Sequence, residues 1–329
     1  MKTKVKVTYP EHYFRDLKKN KKQRIYDCFS FFNEFDLLQL RLRELYNYVD
    51  YFVIAEATQT FSGKDKKLYL QEHRELFKKW KKKIIFITID NLPRMNILDR
   101  FFVWAEKKLP RKSQMLLRRI LANVIRNIGR YKGEEKQRNS IICALKNCNE
   151  EDIILGLDLD EIPRKEKLDE MKIKLSQFKF IKFEQPQFFY YFNGKVLEML
   201  PEAGTLACKY KTLIQEFKGE MRCFRTVPYI WRKINPQLYS KKNIYIIKEG
   251  GWHFSHLGGI QKVIEKFEAT AHSEFDKENI KEEGKIKEML DEGKFPYLKY
   301  KVQYIKLDNS FPKTLLIDKK KFSQYLKNA

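Results

Sequence analysis

The stretch DIILGLDLDEIP, Asp152–Pro163, decides how the rest of the chain is read. Ile153–Leu157 has the length and composition of a buried strand. Asp158, Asp160 and Glu161 follow at once, and Pro163 stops the run. The chain carries 67 basic and 43 acidic residues, a net charge of +24, so three carboxylates at the end of a buried strand need a reason. Adjacent carboxylates repel, and burial without partners is costly or makes them take up protons. A divalent cation removes the conflict. Mg²⁺ and Mn²⁺ prefer oxygen ligands and often bind through one or two carboxylates plus substrate phosphates. Alternate residues of a strand share a face, so Asp158 and Asp160 are expected to point the same way. A metal held there could bridge a nucleoside diphosphate and neutralise the charge that develops as it leaves. The competing reading is a solvated turn whose acids cap a helix starting near Pro163, since Asp-x-Asp alone is common.

Outward from this stretch, strands alternate with helices. QRIYDCFSFF reads as a strand ending near Asn33–Glu34, and Phe35, Leu38, Leu42, Leu45 and Val49 then recur at helical spacing. DYFVIAEA is a second strand ending near Glu56, TQTFSGKDKKLYL a polar loop, and KKIIFITID a third strand. A long helical region covers roughly 97–147, and the opening stretch supplies the fourth strand. EKLDEMKIKLSQF reads as a helix, KFIKFEQPQFFYYFNG as a long strand or hairpin, and IQKVIEKFEATAHSEF as a charged helix. The pattern predicts an α/β fold with a mixed, mostly parallel sheet flanked by helices. Residues 1–22 read as a basic N-terminal extension, 23–275 as the main domain and 276–329 as a charged tail. In open α/β sheets ligands bind beyond the carboxyl ends of the strands. Residues 27–34, Glu56 and 158–161 are therefore expected to line one crevice.

Hydrophobic residues make up 43% and aromatics 14% of the 329 residues, a globular composition rather than a disordered one. The charge favours anionic partners, or is a Lys-rich solvated surface. The five cysteines form no CxxC pair and are expected to be free thiols. Of the five histidines, His253 and His256 alone are close enough in sequence to act together. No signal-peptide core and no run of about 18 apolar residues occurs, so a cytoplasmic protein is the expectation.

Several of these segments together resemble glycosyltransferase family 17, the β-1,4-mannosyl-glycoprotein β-1,4-N-acetylglucosaminyltransferases. DLDEIP is similar to the family signature. The run from Ile25 to Leu70 is similar to its N-terminal block nearly throughout. KQRN, 136–139, and GWHFSHLGG, 251–259, are similar to two further motifs. The resemblance covers roughly 24–275. It implies a GT-A-like Rossmann-type nucleotide-diphospho-sugar transferase fold, a UDP-sugar donor, Mn²⁺ or Mg²⁺ at the acidic motif, and inversion at the anomeric carbon. It points to transfer of N-acetylglucosamine from UDP-N-acetylglucosamine to a glycan hydroxyl, on a mannose or on a lipid-linked or lipopolysaccharide-type glycan.

Carried over, Asp158 and Asp160 form the metal and diphosphate site, with Asp160 the more direct ligand. His253 is the candidate third metal ligand or diphosphate contact, since an imidazole can do either; the alternative is a packed histidine beside Trp252 and Phe254. Gly250–Gly251 would let backbone approach a ligand closely. Ser255 and His256 are weaker candidates. Arg138 either holds a phosphate through its planar fork or pairs with Glu134 on the same helix. Glu56 either contacts uracil or ribose or is a strand-end acid in water. Inversion needs a base for the acceptor hydroxyl; Glu34 and Glu161 are the candidates, with Glu184 and Glu202 behind them. Lys64, Lys66 and Lys67 either close over the diphosphate or decorate a solvated loop.

The region 98–133 departs from the family pattern. From Lys107 to Gly133 it holds nine Lys or Arg residues and no acid. Leu116, Leu117, Ile120, Leu121, Val124, Ile125 and Ile128 recur at helical spacing, with Arg118, Arg119, Arg126 and Arg130 on the other side. A basic amphipathic helix of this kind either lies peripherally in an anionic membrane interface or packs its stripe on the core. Among other classes, a P-loop is absent and no nucleic-acid module is recognisable, so no specific nucleic acid is expected. A non-catalytic protein that binds glycan or nucleic acid through its basic surface is the remaining alternative.

Overall fold

A computed structural model describes residues 2–19, 22–108, 129–197, 204–225, 242–269, 282–295 and 298–328. Its large sheet begins with β1 (Lys4–Thr8), β2 (Ile25–Ser30), β3 (Tyr51–Ala57), β4 (Ile84–Asp90) and β5 (Ile153–Asp158). The order across the sheet is β1-β4-β3-β2-β5-β10-β7-β11, where β7 is Phe180–Phe183, β10 Leu206–Lys209 and β11 Ile244–Ile247. β2 pairs in parallel with both β3 and β5, and β3 with β4. Strand order therefore reverses between β2 and β5, the switch point at which a doubly wound sheet opens a crevice. β10 runs antiparallel to its neighbours β5 and β7.

Strand alternation explains why β2 and β5 are buried on both faces. Ile25, Phe29, Ile153 and Leu155 join one apolar cluster, while Tyr26, Cys28 and Ile154 join the other. Fully enclosed Leu, Ile and Phe side chains each contribute about 1.5–3 kcal/mol of transfer free energy. At Gly156 the two strands come unusually close. Its φ is +124°, and a Cβ would stand 2.0 Å from the carbonyl oxygen of Cys28. Glycine is the residue that tolerates this approach.

A second sheet has the order β13-β14-β9-β8-β12-β6. Its members are β6 (Glu161–Pro163), β8 (Gln187–Phe189), β9 (Gly194–Val196), β12 (Gly251–Ser255), β13 (Lys294–Phe295) and β14 (Leu298–Tyr304). The chain passes from the large sheet at Asp158 to the small one at Glu161 through Leu159 and Asp160. In sequence order, the helices used below are α1 (Tyr13–Lys19), α2 (Phe35–Leu45), α3 (Tyr69–Glu72), α4 (Ile97–Lys108), α5 (Gly129–Asn139), α6 (Leu168–Lys174), α7 (Tyr210–Phe217), α8 (Met221–Arg225), α9 (Gly259–Ala269), α10 (Glu283–Glu292) and α11 (Lys313–Ile317).

The strands of the first half and α2 fall where their patterns place them. Three expectations need correction. Residues 1–22 are not a mere extension: KVKVT alternates, and β1 pairs antiparallel with β4 while Val5 and Val7 pack on the core. Its outward lysines suit an edge strand, where charge blocks further pairing. The C-terminal segment is not a tail either. Phe311, Leu315 and Phe322 enter the main core, and Trp252 Nε1 donates to the Ser310 carbonyl at 3.0 Å. The charged composition hid those few apolar anchors. The KFIKFEQPQFFYYFNG run is neither one strand nor one hairpin. Its two strands, β7 and β8, lie in different sheets, with Pro186, which lacks an N–H for the ladder, between them.

All five cysteines are free. No described helix is long and apolar enough to cross a membrane. The basic amphipathic stretch expected at 107–133 lies largely outside the described residues, as do Glu202 and the end of the IQKVIEKFEATAHSEF segment.

Candidate active site

A cavity of about 370 Å³ opens at the switch point. Ser30, at the end of β2, and Asp158, at the end of β5, are register partners and both line it. Asp160 joins them from the turn, His253 and Ser255 from β12, and Arg138 from α5. His256 and Lys266 add to the polar wall, with Lys266 reaching in from α9. Sequence positions more than 200 residues apart thus meet beyond the strand ends, the place such sheets reserve for ligands.

The acidic turn is shaped from below by one arginine. Arg41, on the buried face of α2, is fully enclosed, as is Asp27 on β2. Its Nε and Nη2 donate to the two Asp27 oxygens at 2.8 and 2.6 Å. Its Nη1 donates to the carbonyl oxygens of Asp158, Leu159 and Glu161 at 2.8, 3.1 and 2.7 Å. One guanidinium therefore fixes the backbone that presents the acids. On the other side, Phe254 N donates to the Asp160 carbonyl at 2.8 Å, so β12 pins the turn as well.

The carboxylates face basic groups. Asp158 Oδ1 accepts from Arg138 Nη1 at 2.5 Å, and Oδ2 accepts from Arg225 Nε at 2.7 Å. Burial would raise the Asp158 carboxyl, but Arg138 and Arg225 outweigh it and hold it well below the usual carboxylate range. Asp160 Oδ2 lies 3.3 Å from Lys266 Nζ and 3.6 Å from His253 Nε2. Burial would raise Asp160 too, and the charges of Lys266 and His253 bring it well below its ordinary value. Burial alone would lower His253; Asp160 beside it reverses the direction. His256 is pushed down to about 3 by burial, with Lys266 adding to the effect.

The candidate acids separate clearly. Glu34 lines the cavity, 3.9 Å from Lys266 Nζ. Glu161 is buried on β6, where Oε1 accepts from Arg225 Nη2 at 2.8 Å and from Gly204 N at 3.2 Å, while Oε2 has no hydrogen-bond partner among the described residues. Glu184 pairs with Lys248 away from the cavity wall. Glu56 is fully buried and committed to structure. Lys66 Nζ donates to it at 2.6 Å, and the backbone N–H groups of Tyr69 and Leu70 at 2.7 and 3.0 Å hold the start of α3. Glu56 is therefore not among the residues that line the cavity. Burial raises its carboxyl and Lys66 opposes the rise.

The basic loop also divides. Lys66 lines the cavity, whereas Lys64 pairs with Glu268 at 3.2 Å and Lys67 with Glu72 at 3.1 Å. Gly250 and Gly251 do not open room for a ligand: a Cβ on Gly250 would meet Phe183, and one on Gly251 would stand 2.1 Å from the Ile162 carbonyl oxygen. The pairing of Arg138 with Glu134 is present, with Nε donating to Glu134 Oε1 at 3.1 Å, and its Nη1 meets Asp158.

Sequence reasoning missed Arg225, Lys266 and Arg41. Arg41 carried a signal, a charged residue on the Leu38–Leu42–Leu45 stripe of α2. Arg225 and Lys266 carried none, because their partners are set by tertiary structure. Among the described residues, no three His, Cys, Asp or Glu side chains form a group able to hold a metal ion by themselves.

A doubly wound α/β sheet with a charged cavity at its switch point has the architecture in which such sheets bind a ligand. Residues 10–123 match the family model for glycosyltransferase family 17, the family that the sequence motifs suggested, and the protein is a glycosyltransferase. The match covers β2 to β4 with α1 to α4, runs through most of the region expected to depart from the family pattern, and ends before the acidic turn. No curated protein matches the chain.

Proposed function

We propose that the enzyme transfers a sugar, N-acetylglucosamine from UDP-N-acetylglucosamine on the family resemblance, to a hydroxyl of a glycan acceptor with inversion, within a GT-A-type fold. The observation that carries this reading is the convergence of Asp160 and His253, from distant segments, in the switch-point cavity of a family 17 glycosyltransferase. Carboxylate oxygen suits Mn²⁺ or Mg²⁺, and an imidazole beside it favours Mn²⁺ of the two, with phosphate oxygens and water available for the remaining positions. Asp160 and His253 would hold the ion, and Lys266 would yield its place beside Asp160. The cation supplies charge neutralisation for the departing nucleoside diphosphate.

Glu34 is the better placed of the two candidate bases, since Glu161 is buried and already accepts from Arg225. The Glu34 carboxylate takes the proton of the acceptor hydroxyl while its oxygen bonds to the anomeric carbon. The bond from that carbon to the diphosphate breaks on the opposite face, and its electron pair leaves with the phosphate. A second cavity of about 320 Å³ shares Phe32, Thr60 and Ala269 with the first and is lined by Phe35, Tyr69 and His73. Those rings offer apolar faces to an acceptor sugar.

The test is thermal stability with UDP-sugars, GDP-mannose and CMP-sialic acid, each with and without Mn²⁺, because a ligand of the folded state raises the melting temperature. A Mn²⁺-dependent shift with UDP-N-acetylglucosamine is expected. No shift with any nucleotide sugar would sink the donor assignment. Glu34→Gln should lower kcat by about 10²–10⁴-fold while leaving the UDP shift in place.

A further inference from the structure

The first aspartate of an acidic pair at a strand end is ordinarily read as a metal ligand. Asp158 is placed for a different task. Each of its carboxylate oxygens is taken by a separate guanidinium, Arg138 from α5 and Arg225 from the end of α8. The side chains are mostly enclosed, 14% exposed for Arg138, 19% for Asp158 and 21% for Arg225. Both arginines are braced a second time, Arg138 by Glu134 and Arg225 by Glu161. These contacts fix the planes of the forks. They leave Arg138 Nη2 and Arg225 Nη1 without a hydrogen-bond partner among the described residues.

A cation seated on Asp158 would stand beside two fixed positive charges that cannot be deprotonated. Asp160 has only longer contacts, 3.3 Å to a flexible lysine and 3.6 Å to an imidazole, which is itself a metal ligand type. The two acids therefore differ in kind. Guanidinium forks match phosphate oxygens: Arg138 stands on the cavity wall itself, and Arg225, partly exposed, grips Asp158 from outside that lining.

We propose that Asp158 is a positioning residue that holds Arg138 and Arg225 as a clamp for the phosphates of the donor, leaving Asp160 and His253 to the metal ion. The proposal rests on the glycosyltransferase reading above and adds Arg225 to the substrate-binding residues. Asp158 acts through the arginines, so its loss is felt in phosphate binding and not in cation binding.

The test is calorimetric titration of the whole protein and its variants with Mn²⁺ alone, and with inorganic pyrophosphate and UDP in the presence of a chelator. Asp158→Asn should keep Mn²⁺ affinity within about threefold of the parent, while Asp160→Asn loses it. In chelator, Asp158→Asn, Arg138→Met and Arg225→Met should each weaken pyrophosphate and UDP by about ten- to a hundredfold, the loss of a charged hydrogen bond or two. Arg138→Lys and Arg225→Lys, which keep charge but lose the fork, should fall between parent and Met variants and serve where a Met variant does not fold. Loss of Mn²⁺ binding in Asp158→Asn as complete as in Asp160→Asn would overturn the proposal. So would a parent protein that binds neither pyrophosphate nor UDP in chelator. Failure of the glycosyltransferase donor reading would look different: pyrophosphate binding that depends on the arginines, with no response to any nucleotide sugar.

Discussion

Two aspartate–arginine contacts lie about one strand apart in this protein, and they are built to opposite ends. Arg41 and Asp27 are wholly enclosed, and all three Arg41 nitrogens donate to protein oxygens. Arg138 lines the cavity with Asp158, Arg225 grips Asp158 from outside that lining, and both keep donors to spare among the described residues. A saturated buried pair serves shape, because nothing can be added to it. An unsaturated pair at a wall serves binding. The same residue types are thus scaffold in one place and candidate binding site in the other, and the division follows from solvent access and unused donors.

Breaking the enclosed pair should give the largest loss of stability. Arg41→Met leaves Asp27 buried without its counter-ion and should cost about 3–5 kcal/mol, read from denaturant unfolding. The double variant Asp27→Leu/Arg41→Met sharpens the point. Replacing both members of a buried pair is often neutral, but here the carbonyls of Asp158, Leu159 and Glu161 also lose their donor. A residual cost of about 1–3 kcal/mol should remain. Full recovery in the double variant would show that the three carbonyl bonds contribute nothing.

At the wall, Arg138→Met leaves Asp158 still paired with Arg225, so stability should fall by only about 1–2 kcal/mol while phosphate binding suffers most. Smallest of all is a pair in water. Glu151 accepts from Lys209 and Lys211, and these bonds hold its carboxyl below the usual value. A depressed carboxylate stabilises the fold above its unfolded value, about pH 4.3, and loses that contribution as pH falls through its folded value. Glu151→Gln should lower the melting temperature at pH 7 by about 1–2 °C, and by progressively less as pH falls through the folded value. A larger effect, or one that persists in acid, would contradict the ranking.

The parallel half of the sheet was legible because its signals are local. Strands of β-branched residues sit between turn residues, and α2 shows its stripe within eleven residues. The acidic turn was legible for the same reason, and the spacing of Asp158 and Asp160 was enough to mark the cavity. Their shared orientation comes from elsewhere: β5 ends at Asp158, so strand alternation no longer applies, and Arg41 and Phe254 set the turn. The roles of Arg225 and Lys266 depend on contacts spanning 67 and 106 residues, which no window of sequence contains. β1 and the C-terminal segment were hidden by their own lysines. Their few apolar residues matter only once a partner surface exists.

Leu159 and Asp160 are all that separates a strand of one sheet from a strand of the other. The joint between the two sheets and the lip of the cavity are one piece of chain. The chain crosses between the sheets again at 184–186 and 248–250, but of these three short joints Leu159–Asp160 is the one that lines the cavity. A slip of one sheet against the other would therefore be felt as a change in the distance between Asp158 and Asp160.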